Sequence, residues 1–169
     1  SGVAEATIAL ILMLQKRNKH TEAKLRRGEW ARRGDRGEFL FGKSVGLVGL
    51  GRVGSHVARR LVNWDVRLIA CDPYVAEERA RSLGATLVDL PTLLAESDVV
   101  SLHASLTDET RLLIGEKALR AMKPGAILIN TARGEIADEE AVARALTEGR
   151  VAGAALDPFT PEPLPAASP

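Results

Sequence analysis

The feature that most constrains this chain is a glycine turn set between a short strand and a helix. Val45-Gly46-Leu47-Val48 reads as an apolar strand running directly into Gly49-Leu50-Gly51-Arg52-Val53-Gly54, after which Val53, Val57, Ala58 and Leu61 fall on one helical face. Each glycine has a mechanical reason. Gly49 permits the tight turn, Gly51 leaves the backbone bare where a pyrophosphate would lie, and Gly54 lets the helix pack closely on the strand. The helix N-terminus then faces the anion, with Arg52 and Val53 at the turn to contact the phosphates. The second strand ends in Ala70-Cys71-Asp72, and Asp72 stands 21 positions after Gly51, close to the ~20 expected of a carboxylate that accepts ribose hydroxyls. A carboxylate there would repel a 2′-phosphate, and Pro73 and Tyr74 follow it rather than an arginine, so the reading is NAD and not NADP. Glycines in this spacing can be a structural turn and no more. Strand, glycines, helix and acid together name a ligand, though not a reaction.

The rest of the chain repeats the alternation that this unit begins. Short apolar strand candidates are Ser44 to Leu50, Val66 to Cys71, Thr86 to Val88, Val99 to His103, Ala126 to Asn130 and Val151 to Leu156. Amphipathic helical stretches lie between them at Val53 to Val62, Ala76 to Leu83, Glu116 to Ala121 and Asp138 to Leu146. That order predicts an α/β fold: a doubly wound parallel sheet, Rossmann-like, with helices on both faces. Two N-terminal helices precede it, Ala4 to about Lys16 and a more polar one from Thr21 to about Arg33 with Trp30 as its expected anchor. Gly34-Asp35-Arg36-Gly37 breaks the helical pattern. The organisation expected is therefore an N-terminal helical segment over 1–40, a sheet-and-helix core over 41–160, and a Pro-rich tail over 161–169 that cannot fold alone.

Composition removes several function classes. With 23 Lys and Arg against 22 Asp and Glu, the net charge of +1 gives no field that would gather nucleic acid or an anionic membrane. Small-molecule partners are favoured. The one cysteine, Cys71, has no internal disulfide partner and sits beside Ile69 and Ala70, which reads as a buried thiol in a cytoplasmic, reducing setting. The apolar run from Ala6 to Leu14 falls short of the ~20 residues that cross a bilayer. Glu5 before it and Gln15-Lys16-Arg17 after it are also wrong for a secretory leader, so it reads as a buried or interface helix. No metal-ligand cluster is apparent in the spacing of His, Cys and acidic residues.

Two later segments carry a more specific likeness. Asn130-Thr131-Ala132-Arg133-Gly134-Glu135 closes one strand and Gly153-Ala154-Ala155-Leu156-Asp157-Pro158-Phe159-Thr160-Pro161-Glu162-Pro163 closes the next. Together with the glycine turn and the opening Val3-Ala4-Glu5, they resemble the D-isomer-specific 2-hydroxyacid dehydrogenases, which include phosphoglycerate dehydrogenases and glyoxylate or hydroxypyruvate reductases. The resemblance implies hydride transfer between NAD and a D-2-hydroxy acid or its 2-oxo acid. It implies that Arg133 binds the substrate carboxylate and that Glu162 orients the catalytic histidine and favours its protonated form. By the same resemblance Asp157 bonds the nicotinamide carboxamide, Thr131, Ala132 and Arg133 line the nicotinamide end, and Ala104 lies beside the ribose and phosphate. A homodimer through the Ala4 to Lys16 helix is implied too.

Without the resemblance these residues have plainer readings: Arg133 and Glu162 as solvated loop positions, Asp157 as a turn residue, and His103 as a partly buried polar group rather than an acid or base. His20 and His56 read as surface positions. The family usually carries Pro where this chain has Ser105 and Val where it has Pro158. Its acid/base histidine comes in a Thr-Pro-His type segment some twenty residues after the Glu, and no histidine here follows His103. The expectation is a cofactor-binding domain without the substrate domain, which binds NAD and turns over little by itself. The rival of another class is a non-catalytic, NAD-sensing interaction module like the family's corepressor relatives. Formate dehydrogenase is a rival within the family, and Glu162 argues against it because that branch tends to use Gln.

Overall fold

The computed structural model describes residues 1–166; the last three residues of the expected tail, 167–169, lie outside the described residues. Six strands form one parallel sheet: β1 (Ser44–Val48), β2 (Arg67–Cys71), β3 (Ala85–Leu87), β4 (Val99–Leu102), β5 (Ile127–Asn130) and β6 (Gly153–Leu156). Their order across the sheet is β3-β2-β1-β4-β5-β6, and each neighbouring pair is parallel. This is the doubly wound, Rossmann-like α/β architecture expected from the alternation. Successive crossovers run outward in one direction from β1 and then restart beside it at β4, so the sheet's switch point falls between those two strands.

Buried on both faces, the central strands need no polar alternation. Val45, Leu47 and Val48 of β1, Val99, Val100 and Leu102 of β4, and Leu128 and Ile129 of β5 are all buried. One face packs against α1 (Gly2–Gln15), α3 (Arg52–Leu61) and Ala80 of α4 (Glu77–Arg81). The other packs against α5 (Leu90–Glu96), α6 (Glu116–Ala121) and α7 (Glu139–Thr147). Among these helices only α5 has no counterpart in the sequence reading. Its start signal was there in plain view: Asp89 caps it by accepting the Thr92 N–H at 2.9 Å, and Pro91 occupies the first turn.

The N-terminal region differs from expectation in one respect. The second helix, α2, spans Asn18–Arg26 and not Thr21 to Arg33, because Arg17 takes a left-handed conformation (φ 52°) between α1 and α2 and Gly28 another (φ 75°) just beyond α2. Trp30 consequently lies off the helix and is 83% exposed, so it anchors nothing among the described residues. Helix α1 is seated on the sheet by Ala4, Thr7 and Ile11, while Leu12 and Met13 remain half-buried and Val3 exposed. No helix of the described residues is long and apolar enough to cross a membrane.

Candidate functional site

Because all six strands run the same way, their C-terminal ends share one rim of the sheet, and the loops leaving β1, β2, β4, β5 and β6 meet there. A cleft of about 380 Å³ opens beside the switch point, with Gly49 and Gly51 on one wall, Asp72 and Tyr74 on a second, and His103 and Ala104 on a third.

The three glycines of the turn are required for three different reasons. Gly49 has φ +94°, and a Cβ on it would come within 2.7 Å of the Ala104 backbone nitrogen. Its own N–H donates to the Cys71 carbonyl at 2.9 Å, tying the turn to β2. Gly54, in the first turn of α3, has no room because a Cβ would overlap the Gly49 carbonyl oxygen. Gly51 is different. It has φ −68°, and a Cβ there would meet nothing within 4 Å. Packing among the described residues does not demand a glycine at 51, and the bare backbone there lines the cleft. Helix α3 begins at the next residue, Arg52, and no side chain among the described residues caps its N-terminus. Those free donors, the dipole behind them and the unfilled space over Gly51 fit a diphosphate.

Asp72 completes this half of the site. It is half-buried; its Oδ2 accepts the Leu50 N–H at 2.8 Å and its Oδ1 accepts the Tyr74 N–H at 2.9 Å. The carboxylate is thus fixed by the glycine turn on one side and by its own strand end on the other. Each oxygen keeps acceptor capacity, which suits a ribose diol. The structure therefore brings Gly49, Gly51, Asp72 and Ala104 around one cleft, and Arg52, Val53 and Gly54 form the first turn of α3 beside it.

The second group lies two strands away, beyond β4. Asn130, fully buried at the end of β5, brackets the turn that follows: its Nδ2 donates to the Arg133 carbonyl at 2.8 Å and its Oδ1 accepts the Ala132 N–H at 3.1 Å. Thr131 is buried, Ala132 half-buried and Arg133 exposed, with the Arg133 guanidinium donating to the Ala132 carbonyl at 2.7 Å. Asp157 is brought alongside because its N–H donates to the Asn130 carbonyl at 2.9 Å. The segment then packs over Gly134, where any Cβ would strike Phe159 and Thr160. Glu162 is exposed further along that segment, and no hydrogen bond links it to Arg133 among the described residues.

Several lining residues were not singled out from the sequence. Tyr74, 87% exposed, and Thr107, Leu90 and Leu113 complete the cleft wall, and Asn130 sets the shape of the second turn. Asn130 could have been found as a polar residue closing an all-apolar strand; the others carry no local signal. His103 also lines the cleft, with Nε2 bonded to Ser101 Oγ at 2.9 Å and Nδ1 sealed from solvent without a partner among the described residues. Burial pushes its pKa down to about 4, so the ring is neutral at ordinary pH. Cys71 is half-buried, and burial raises its thiol above the ordinary range, which makes it a poor nucleophile.

Comparison with known proteins places this geometry in context. The family model described as "D-isomer specific 2-hydroxyacid dehydrogenase, NAD binding domain" matches residues 8–169. The D-3-phosphoglycerate dehydrogenase of Archaeoglobus fulgidus is 43% identical over 162 residues, covering 96% of this chain and 31% of the relative. The glyoxylate reductase of Thermofilum pendens is 45% identical over 173 residues, covering 97% of this chain and 50% of the relative. The structure of an NAD-dependent formate dehydrogenase from Staphylococcus aureus in complex with NAD superposes with a TM-score of 0.93 at 34% identity, covering 99% of this chain and 50% of that one. The chain thus spans between about a third and a half of the length of these relatives.

Proposed function

The chain belongs to the D-isomer specific 2-hydroxyacid dehydrogenases, as their NAD-binding domain, and from that premise we propose that it is the cofactor half of an enzyme acting on a D-2-hydroxy acid or its 2-oxo acid. Bound in the cleft, NAD supplies the carbon that accepts or gives up hydride. The observation that carries the reading is the bare backbone at Gly51, which the protein's own packing does not call for, beside a carboxylate already held in place at Asp72.

The residues of this chain then divide the work. Gly49, Gly51 and Gly54, with the N–H groups of Arg52 and Val53, receive the diphosphate; Asp72 accepts the ribose hydroxyls and rejects a 2′-phosphate by charge; Ala104 flanks the same end. Thr131, Ala132 and Arg133 with Asp157 form the nicotinamide end, where the turn bracketed by Asn130 sets the position of the ring. Arg133 is exposed, and its fixed fork of donors suits a substrate carboxylate and the polarised C2 oxygen next to it. Glu162 orients and charges the imidazole that moves the hydroxyl proton. Among the described residues no hydrogen bond joins Glu162 to His20, which pairs with Asp35, or to His103, whose Nε2 meets Ser101. His56 rides on α3, where the positive charge of the amino terminus first, then burial and the charges of Arg59, Arg60 and Arg52, oppose its protonation. Positioning and charge stabilisation carry the rate.

We propose also that residues 1–40 serve as the interdomain and dimer-forming segment, supported by the half-buried apolar residues that α1 leaves beside those it seats on the sheet, and that 41–160 is the cofactor core. A homodimer is the assembly this reading supports, and the lone Cys71, with no internal disulfide partner, supports a cytoplasmic setting. The corepressor-like alternative is not favoured, since the relatives named above are dehydrogenases and a reductase. Calorimetric titration tests the core of the proposal. NAD should bind, NADP should bind more weakly, and equal affinity for the two would remove Asp72 as selector. Purified by itself, the 169-residue chain should show no reduction of hydroxypyruvate; a measurable rate would overturn the assignment of the proton donor to another segment.

A further inference from the structure

The turn that carries Arg133 is held from two directions, and only one of them is local. Asn130 brackets it from within β5. The other hold comes from α1, more than a hundred residues earlier: Thr7 Oγ1 and Thr131 Oγ1 lie 2.8 Å apart, with Thr7 fully buried and Thr131 at 9% exposure. The direction of this bond follows from a neighbour. Thr7 Oγ1 also lies 2.8 Å from the Val3 carbonyl, one helical turn back, and the arrangement in which Thr7 donates there and accepts from Thr131 gives both hydroxyl protons an acceptor. The result is a buried relay in which the Thr131 hydroxyl donates to Thr7 and the Thr7 hydroxyl donates to the α1 backbone.

We propose that Thr7 is a positioning residue for the nicotinamide end of the site: it accepts the Thr131 hydroxyl proton, pins the first residue of the 131–133 turn to α1, and so couples the placement of that helix to the placement of Arg133. The inference rests on the assignment of the 131–133 turn to the nicotinamide end. Chemistry makes the relay specific. A packing role alone would be met by any side chain of the right volume, and valine has nearly the shape of threonine. Yet valine has no acceptor, and it would leave the Thr131 hydroxyl buried without a partner or force the turn to move. Serine keeps both hydrogen bonds and loses only a methyl group.

The test compares two probes on the 169-residue chain. NADH reaches both groups of the site, whereas ADP-ribose has the same diphosphate and ribose but no nicotinamide, so it reports on the Gly49–Asp72 side alone. Thr7→Val should weaken NADH about three- to tenfold and leave ADP-ribose unchanged, and Thr7→Ser should restore NADH affinity. Where the parent binds NADH more tightly than ADP-ribose, a Thr7→Val variant that weakens both probes equally, or neither, overturns the positioning role. Should Thr7→Val fail to fold, Thr7→Cys, of similar size and with only a weak acceptor, takes its place with the same expectation. Hydrogen exchange at the amides of residues 132–134 in the ligand-free chain separates this inference from the reading beneath it. Faster exchange in Thr7→Val and not in Thr7→Ser upholds the role of Thr7 even if the parent binds ADP-ribose as tightly as NADH, a result that would instead remove the turn from the nicotinamide end. Unchanged exchange in Thr7→Val would overturn the inference whatever the ligands do.

Discussion

The Asp72 carboxylate accepts the backbone N–H of Leu50 at 2.8 Å, so the residue proposed to hold the ribose is also a brace for the glycine turn proposed to receive the diphosphate. Two parts of the cofactor would therefore feel one substitution. Asp72→Ala should lower NAD affinity roughly ten- to a hundredfold, as expected for losing charge-assisted hydrogen bonds of about 1.5 to 3 kcal/mol. Asp72→Asn keeps one carbonyl acceptor but only one, and calorimetry should rank it between the parent and Asp72→Ala. Unchanged NAD binding in Asp72→Ala would refute its role.

Gly51 and Gly54 separate ligand from fold. A Cβ at Gly51 meets nothing within 4 Å and the backbone there has φ −68°, so Gly51→Ala should leave thermal stability close to that of the parent. It should nevertheless cost at least about tenfold in NAD affinity, since the methyl group stands where the diphosphate approaches. Gly54→Ala strikes the Gly49 carbonyl and should lower the melting temperature with or without cofactor. If Gly51→Ala proved as unstable as Gly54→Ala, the bare backbone would have a packing explanation after all.

Asn130→Asp exchanges a donor for an acceptor opposite the Arg133 carbonyl, at a residue that is fully buried. The loss should be on the order of 2 to 4 kcal/mol in stability, more than for Asn130→Ala in proportion to the buried charge it adds. Chemical denaturation measures this directly, and parity of the two variants would argue that the bracket contributes little.

His103 gives a pH dependence with a definite sign. Its pKa in the fold is about 4, below the ordinary 6.5, so the unfolded chain takes up a proton that the native ring refuses. Stability from this group is complete above about pH 6.5, falls as the pH drops toward 4, and changes no further below that. The full swing is at most about 3 kcal/mol, and less where the ring edge meets the open cleft. Melting temperatures recorded from pH 7.5 to 4.5 should show the slope, and His103→Gln should flatten it. An equal slope in that variant would move the effect to another group.

Much of the site was legible because its residues are local in the chain. Gly49 to Gly54 form one continuous turn, and Asp72 ends the next strand, so their spacing carries the information that their geometry expresses. Asp89 and Pro91 held an equally local signal for α5, which the strand-and-helix alternation did not need and therefore did not draw out. Trp30 shows the opposite case: a large apolar side chain reads as an anchor, but one left-handed glycine at 28 takes it off the helix and into solvent.

The sequence by itself determined the doubly wound fold, the glycine corner and the carboxylate one strand away, since each depends on backbone freedom and hydrophobic period within a few residues of chain. Only the tertiary structure decided that Thr7 meets Thr131, that Asp157 joins the Asn130 turn, and that Asp72 braces Leu50. Such pairings connect strand ends and helices far apart in sequence. They are fixed by the parallel order of the sheet and by the need of each buried polar atom for a partner, a condition that no local pattern of residues expresses.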